Sequence, residues 1–139
     1  CTIIGGIRYF SVENFEKIVS RIRIITDSLC AANDCKAEYI TMPKLMYPVI
    51  NNPAISKIAA AAVEKVLPGG VVEEPAWMAS ESFGAYQDVV PGVFAFVGIQ
   101  NEELGSGAAH HNVKFDLDEK ALSIGAAATL QFVSDFLSQ

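Results

Sequence analysis

Cations are scarce in this sequence: ten Lys and Arg stand against sixteen Asp and Glu, a formal charge of -6. The few that exist are scattered, so the chain offers no electrostatic footprint for a nucleic-acid backbone or an anionic membrane, and neither is expected as a partner. Long apolar runs are missing as well. None reaches the roughly 18 residues a spanning helix requires, and the alanine-rich stretches at 58–63 and 126–130 are too short. The three cysteines do not form a closed even set. Cys30 and Cys35 could bridge at the end of a helix, ordinary reduced thiols being the simpler reading. A zinc knuckle is a weaker reading still, since closely spaced thiolate pairs with a second pair of ligands are absent. No Gly-x-Gly-x-x-Gly, phosphate loop, serine elbow, internal repeat or low-complexity stretch is present. The first residue is Cys1 rather than Met, and nothing before the first apolar segment reads as a secretory leader. The chain is therefore expected to begin in mid-fold, and to work in the cytoplasm.

What is present suffices for a core. Of 139 residues 51% are hydrophobic, enough for a domain that needs no disulfides. Residues 2–10 are β-branched and aromatic and read as a strand. Ser11 then caps a helix with Glu13 in its first turn. Phe15, Ile18, Val19, Ile22, Ile25 and Leu29 recur at helical spacing opposite Glu16, Lys17, Arg21, Arg23 and Asp27. That helix should end near Ala31, at the turn Ala32-Asn33-Asp34, with a second strand over residues 36–42. Pro43, Pro48 and Asn51-Asn52-Pro53 cluster behind it and mark a domain boundary. Asn52 caps and Pro53 opens a helix that stops at Pro68-Gly69-Gly70. Residues 71–72 make a short strand, 77–86 a loop with at most one helical turn, and 93–99 a buried strand. A polar loop over 100–113 carries both histidines. Asp118 caps a last helix over 119–137. Helices alternating with short apolar strands define an α/β fold class.

Few residues could carry chemistry. His110-His111 lies after a buried strand in a glycine-containing loop, where ligands of α/β sheets gather, although adjacent loop histidines are more often solvated or structural. In an extended segment their side chains would point apart, so one of the two is expected to reach a given ion. Glu81 in Ser80-Glu81-Ser82-Phe83 either meets a substrate or sits in the first turn of a short helix. Arg8 is a cation in an apolar strand and calls for a carboxylate partner, from the protein or from a substrate. Trp77 and Met78 read as packing residues.

Taken in order, five segments carry a resemblance. Gly5-Gly6-Ile7-Arg8-Tyr9-Phe10 resembles the Gly-Thr-x-Arg-x-Phe strand in the lid domain of metal-dependent amidohydrolases of the aminoacylase, hippurate hydrolase and indoleacetyl-amino-acid hydrolase kind. Tyr47-Pro48-Val49-Ile50-Asn51-Asn52 resembles their passage from lid to catalytic domain. Met78-Ala79-Ser80-Glu81-Ser82-Phe83, with Val90-Pro91-Gly92 after it, is similar to their Met-Gly-Ser-Glu-Asp-Phe segment. Phe96-Val97-Gly98-Ile99 and His110-His111-Asn112-Val113-Lys114-Phe115-Asp116 are similar to the strand and the His-Asn-Pro-x-Phe-Asp loop that close the active site. The chain departs from these patterns at Gly6, Ser82 and Val113, where the family has Thr, Asp and Pro.

The resemblance implies that residues 1–46 are half of a ferredoxin-like lid, or dimerisation, domain, and that residues 47–139 are the C-terminal part of a zinc-peptidase-like α/β catalytic domain. It implies hydrolysis of the amide bond of an N-acyl amino acid or small peptide. Two divalent metal ions (zinc, manganese or cobalt) would be held by the complete enzyme and none by this chain alone. His111 would be a metal ligand, Arg8 would grip the substrate carboxylate, and Ser80 and Glu81 would line the pocket. The family's other metal ligands and its Glu base have no matching motif here, and two-metal hydrolysis needs both. The chain is thus expected to be an incomplete and inactive portion of a homodimeric enzyme, partnered by a missing N-terminal half. The other reading is a non-catalytic α/β binding or dimerisation module derived from such an enzyme.

Overall fold

The computed structural model describes residues 1–139. Its regular elements are four helices: α1 (Val12–Ala32), α2 (Pro53–Val66), α3 (Gly84–Gln87) and α4 (Lys120–Leu137). Each long helix starts where a short polar side chain can satisfy its free amides. Ser11, in extended conformation, accepts from the Asn14 N–H at the start of α1. Asn52 accepts from both Ala54 and Ile55 ahead of α2, with Pro53 at the first helical position, where a missing N–H costs nothing. Asp118 accepts from the Lys120 N–H at the start of α4. At the far end of α2, Glu64 accepts from the Gly69 N–H at 2.8 Å, and Gly69 takes the positive φ of 74° that turns the chain away.

The expected strands are not formed. Residues 2–10, 36–42, 71–72 and 93–99 belong to no ladder, and the lid's sheet is therefore not seen in this chain. The physical reason is that a strand exists only by hydrogen bonding to another strand. β-Branched composition reports fitness for a pleated surface, not the presence of a partner. Ile3 and Ile4 illustrate it, being 89% and 92% exposed. At Phe94 a side chain stands in for a neighbouring strand: the Asn51 carboxamide donates to the Phe94 carbonyl at 2.8 Å and accepts from its N–H at 2.7 Å.

The chain divides into two compact units, residues 1–50 with 75–91, and residues 51–74 with 92–139. In the first, Phe15 of α1 is buried and stacks, tilted, on Tyr9 with ring centroids 5.0 Å apart. The Tyr9 hydroxyl donates to the Met46 carbonyl and accepts from the Met46 N–H, at 2.6 and 2.8 Å, tying residues 37 positions apart. Tyr39 folds back on α1, its hydroxyl donating to the Asp27 carboxylate at 2.8 Å and its ring lying 4.9 Å beneath the Arg23 guanidinium. In the second unit α2 packs on α4, and Ala62 of α2 is fully buried and Ala121 of α4 nearly so. Lys65 bridges to Asp135 at 2.7 Å across that contact.

Much apolar surface stays uncovered. The chain exposes 11141 Å². A compact protein of its mass exposes roughly 7,000 Å², and even two separate bodies of half that mass would expose roughly 8,500 Å² between them. Ile25 and Leu29 of α1 and Leu122, Leu130 and Leu137 of α4 are among the exposed side chains. No helix is long and apolar enough to cross a membrane.

Gly84 is the one buried glycine, and a Cβ there would land on the backbone carbonyl of Tyr47. Backbone cannot swing aside as a flexible side chain can. Gly84→Ala should cost about 1–3 kcal/mol, read as a lower urea midpoint. Gly98→Ala, whose Cβ meets nothing within 4 Å, should stay within about 0.5 kcal/mol of the parent chain.

Candidate functional site

Arg8 is exposed, and its guanidinium donates to the neighbouring Ile7 carbonyl at 3.0 Å. The protein carboxylate partner that a buried Arg would need is not required, because the side chain keeps its water. Glu81 bends back on its own turn: one carboxylate oxygen accepts from the Ser82 N–H at 2.7 Å, the Ser82 hydroxyl at 3.1 Å and the Phe83 N–H at 3.3 Å. It thereby fixes the turn just ahead of α3, which itself has no side-chain cap. The Ser80 hydroxyl lies 3.7 Å from the Met46 sulfur. Met46 is thus a shared post, holding Tyr9, next to Arg8, by its backbone and Ser80 by its side chain. Sequence reading singled out Arg8, Ser80 and Glu81 as candidates but gave no sign of the Tyr9–Met46 tie, which is made to the Met46 backbone. Trp77 and Met78, read as packing residues, are more than half exposed.

The histidine loop belongs to the second unit, and its base is pinned by one asparagine. The Asn101 amide nitrogen donates to the Asp118 carboxylate at 2.7 Å, while its Oδ1 accepts from the Glu103 and Leu104 N–H groups. Its backbone N–H donates to the Ser106 hydroxyl at 2.8 Å, and the Ser106 N–H returns to the Asn101 carbonyl at 3.0 Å. Ser106 is the one buried polar residue. Gly105 and Gly107 flank it at φ 71° and 129°, a backbone that residues with a Cβ rarely adopt. The Asp118 N–H closes the loop onto the Ile99 carbonyl at 2.9 Å.

Beyond this clamp, His110 makes an edge-on contact with Phe115, ring centroids 5.8 Å apart. His111 is exposed and sits at φ 62°. The extended geometry expected for the pair is therefore not what forms; residues 110–111 make a turn, closed by the Asn112 N–H donating to the Ala109 carbonyl. A left-handed backbone in a residue with a large side chain costs stability, and such outliers gather at functional positions. Asp116 accepts from the Leu117 N–H.

No three His, Cys, Asp or Glu side chains come close enough together to hold a metal ion. The donors on this chain therefore do not by themselves fit a metal centre, which needs three or four ligands around one point. An exposed imidazole on a pinned loop can at most contribute one of them.

The loop between Ile99 and α4 is thus pinned at its base, turned by glycines, and presents an exposed imidazole. Comparison with known sequences places the chain in a family. It belongs to peptidase family M20/M25/M40, whose pattern matches residues 6–135, a family of metal-dependent hydrolases fitted to an α/β peptidase domain. It is 30% identical to the IAA-amino acid hydrolase ILR1-like 4 of Arabidopsis thaliana, over 98% of this chain and 32% of that protein. It is 28% identical to the N-acetyldiaminopimelate deacetylase of Enterococcus faecalis, over 95% of this chain and 34% of that protein. With thermostable carboxypeptidase 1 of Saccharolobus solfataricus the identity is 27%, over 89% of this chain and 31% of that protein. The chain thus spans about a third of the length of the curated relatives it matches. No solved structure matches it.

The loop clamp should respond to acid. The Asn101 amide, then the Lys120 N–H, hold the Asp118 carboxyl below its usual value of 3.8, against the opposing effect of burial. A depressed carboxylate stabilises the fold above its unfolded value and ceases to do so as pH falls through its lower folded value. With the intrinsic, base-catalysed exchange rate divided out, protection of the amides in residues 102–117 should therefore stay constant near neutrality and fall only below about pH 4. In Asn101→Ala the Asp118 midpoint, followed by carboxyl NMR, should return toward 3.8.

Proposed function

We propose that the chain is the C-terminal portion of a longer metal-dependent amidohydrolase that cleaves the amide bond of N-acyl amino acids or small peptides. The observation that carries this reading is the family match along residues 6–135 in a chain about a third as long as its relatives. Those relatives are named for an amino-acid conjugate, an N-acetyl compound and a carboxypeptidase, and hydrolysis at a carbonyl–nitrogen bond is the chemistry the names have in common. The surplus of exposed apolar surface supports the same reading, since further chain packed on α1 and α4 would remove it from water.

In this reading residues 1–46 belong to a ferredoxin-like lid through which the cytoplasmic enzyme dimerises. Residues 47–139 belong to the zinc-peptidase-like α/β catalytic domain. Partner strands for residues 2–10, 36–42 and 93–99 come from the rest of the protein. His111 is one ligand to one of two divalent ions, zinc, manganese or cobalt, and the remaining ligands and the acid–base group come from outside this chain. Arg8 grips the substrate's free carboxylate with its planar fork. Ser80 contributes its hydroxyl to the pocket. Glu81, its carboxylate occupied by the Ser82 and Phe83 amides, acts on the pocket through the shape of the turn.

Two substitutions in the complete protein test these roles. His111→Ala should lower both metal content and turnover, and His110→Ala should be much milder. Full metal and full activity in His111→Ala would refute the ligand assignment. Arg8→Lys replaces a bidentate fork by a point charge and should lower kcat/KM roughly tenfold for substrates with a free carboxylate, leaving esterified or amidated ones little changed. An equal loss for both kinds would mean that Arg8 serves the fold.

A further inference from the structure

The C-terminal end of α1 brings two cysteines together. The Cys35 N–H donates to the Cys30 carbonyl at 3.0 Å, five residues back, and the Asn33 N–H reaches the same carbonyl at 3.1 Å. Asp34 between them has φ 53°. A six-residue closure with its penultimate residue left-handed is the arrangement that ends many helices, and in it the side chains at the first and last positions are in contact. Here both positions are cysteines. The Cys35 sulfur lies 3.5 Å from the Cys30 carbonyl oxygen. Both thiols are free, with Cys35 exposed and Cys30 partly covered. The neighbouring Cys35 side chain, then burial, push the Cys30 thiol up from its usual value, and exposure makes Cys35 the sulfur open to attack a partner.

We propose that Cys30 and Cys35 are a dithiol–disulfide pair, a redox-sensitive clasp that fastens the end of α1 to the segment returning along it. The oxidant is a small-molecule disulfide. The Cys35 thiolate attacks one of its sulfurs, forming a mixed disulfide and releasing one small thiol. Cys30 then gives its proton to solvent and attacks the Cys35 sulfur, forming the Cys30–Cys35 bond and expelling the second small thiol. The protein pair loses two electrons and two protons, and the small disulfide is reduced to two thiols. When closed, the clasp holds the turn from which residues 36–39 run back to Tyr39 and its bond to Asp27. Cys1 takes no part.

Trypsin provides a direct test, because cleavage after Arg23 and Lys36 leaves both sulfurs in one peptide, residues 24–36, and Cys1 in another. The full chain is equilibrated with mixtures of oxidised and reduced glutathione, alkylated, digested and weighed. The expected result is a peptide 24–36 that is lighter by two hydrogens and takes up no alkylating agent, while Cys1 is alkylated or glutathionylated. A β-branched residue disfavours positive φ, so Asp34→Val, which keeps both cysteines, should require a roughly tenfold more oxidising ratio to close the pair. Asp34→Gly should close at least as readily as the parent chain. The proposal is overturned if the two sulfurs of peptide 24–36 carry separate alkyl or glutathione groups at every ratio, or if Asp34→Val closes as readily as the parent.

Discussion

The second unit depends on α2 lying against α4, where Lys65 reaches Asp135 at 2.7 Å. Ala62 of α2 has no exposed surface and Ala121 of α4 very little, so a larger side chain at either place would push its surroundings apart. α4 also lies beside the apolar segment 92–99, where a Cβ added at Gly125 would meet Val97 at 3.4 Å, and that segment is fixed at its other end by Asn51 and Asn52 ahead of α2. The histidine loop leaves from the end of that segment and returns to the start of α4. Its position therefore depends on the packing of α2 against α4.

The first unit is organised differently, by polar ties rather than by a core. Phe15 is its one buried large side chain. Tyr9 and Tyr39 each carry a hydroxyl across a long stretch of sequence, to Met46 and to Asp27. Such hydrogen bonds fix geometry well but contribute modestly to stability when water can compete for them. Apolar residues on α1 remain free to be covered by other chain, which is consistent with a segment that reaches its full burial only within a larger protein.

The helices were legible because their causes are local. Ser11, Asn52 with Pro53 and Asp118 each announce a start within three residues of the amides they satisfy, and all three helices begin within a residue or two of those positions. The stop at Pro68-Gly69-Gly70 was equally local. The strands were not legible in the same sense. Residues 93–99 have the composition of a buried strand, yet whether they pair depends on another segment of chain, which no pattern within those seven residues can supply. The family was legible too, since five motifs in the right order are improbable by chance, and the comparison along residues 6–135 bears this out.

Helix positions and the family were therefore determined by the sequence itself, through contacts between residues a few positions apart and through the order of short motifs. Tertiary structure alone decided that Asn101 reaches Asp118 beneath the histidine loop and that Met46 serves both Tyr9 and Ser80. Each of those depends on where a backbone goes after it leaves its own helix or loop. Many residues share the polar side chains that could make such contacts, and only the folded path selects which of them meet.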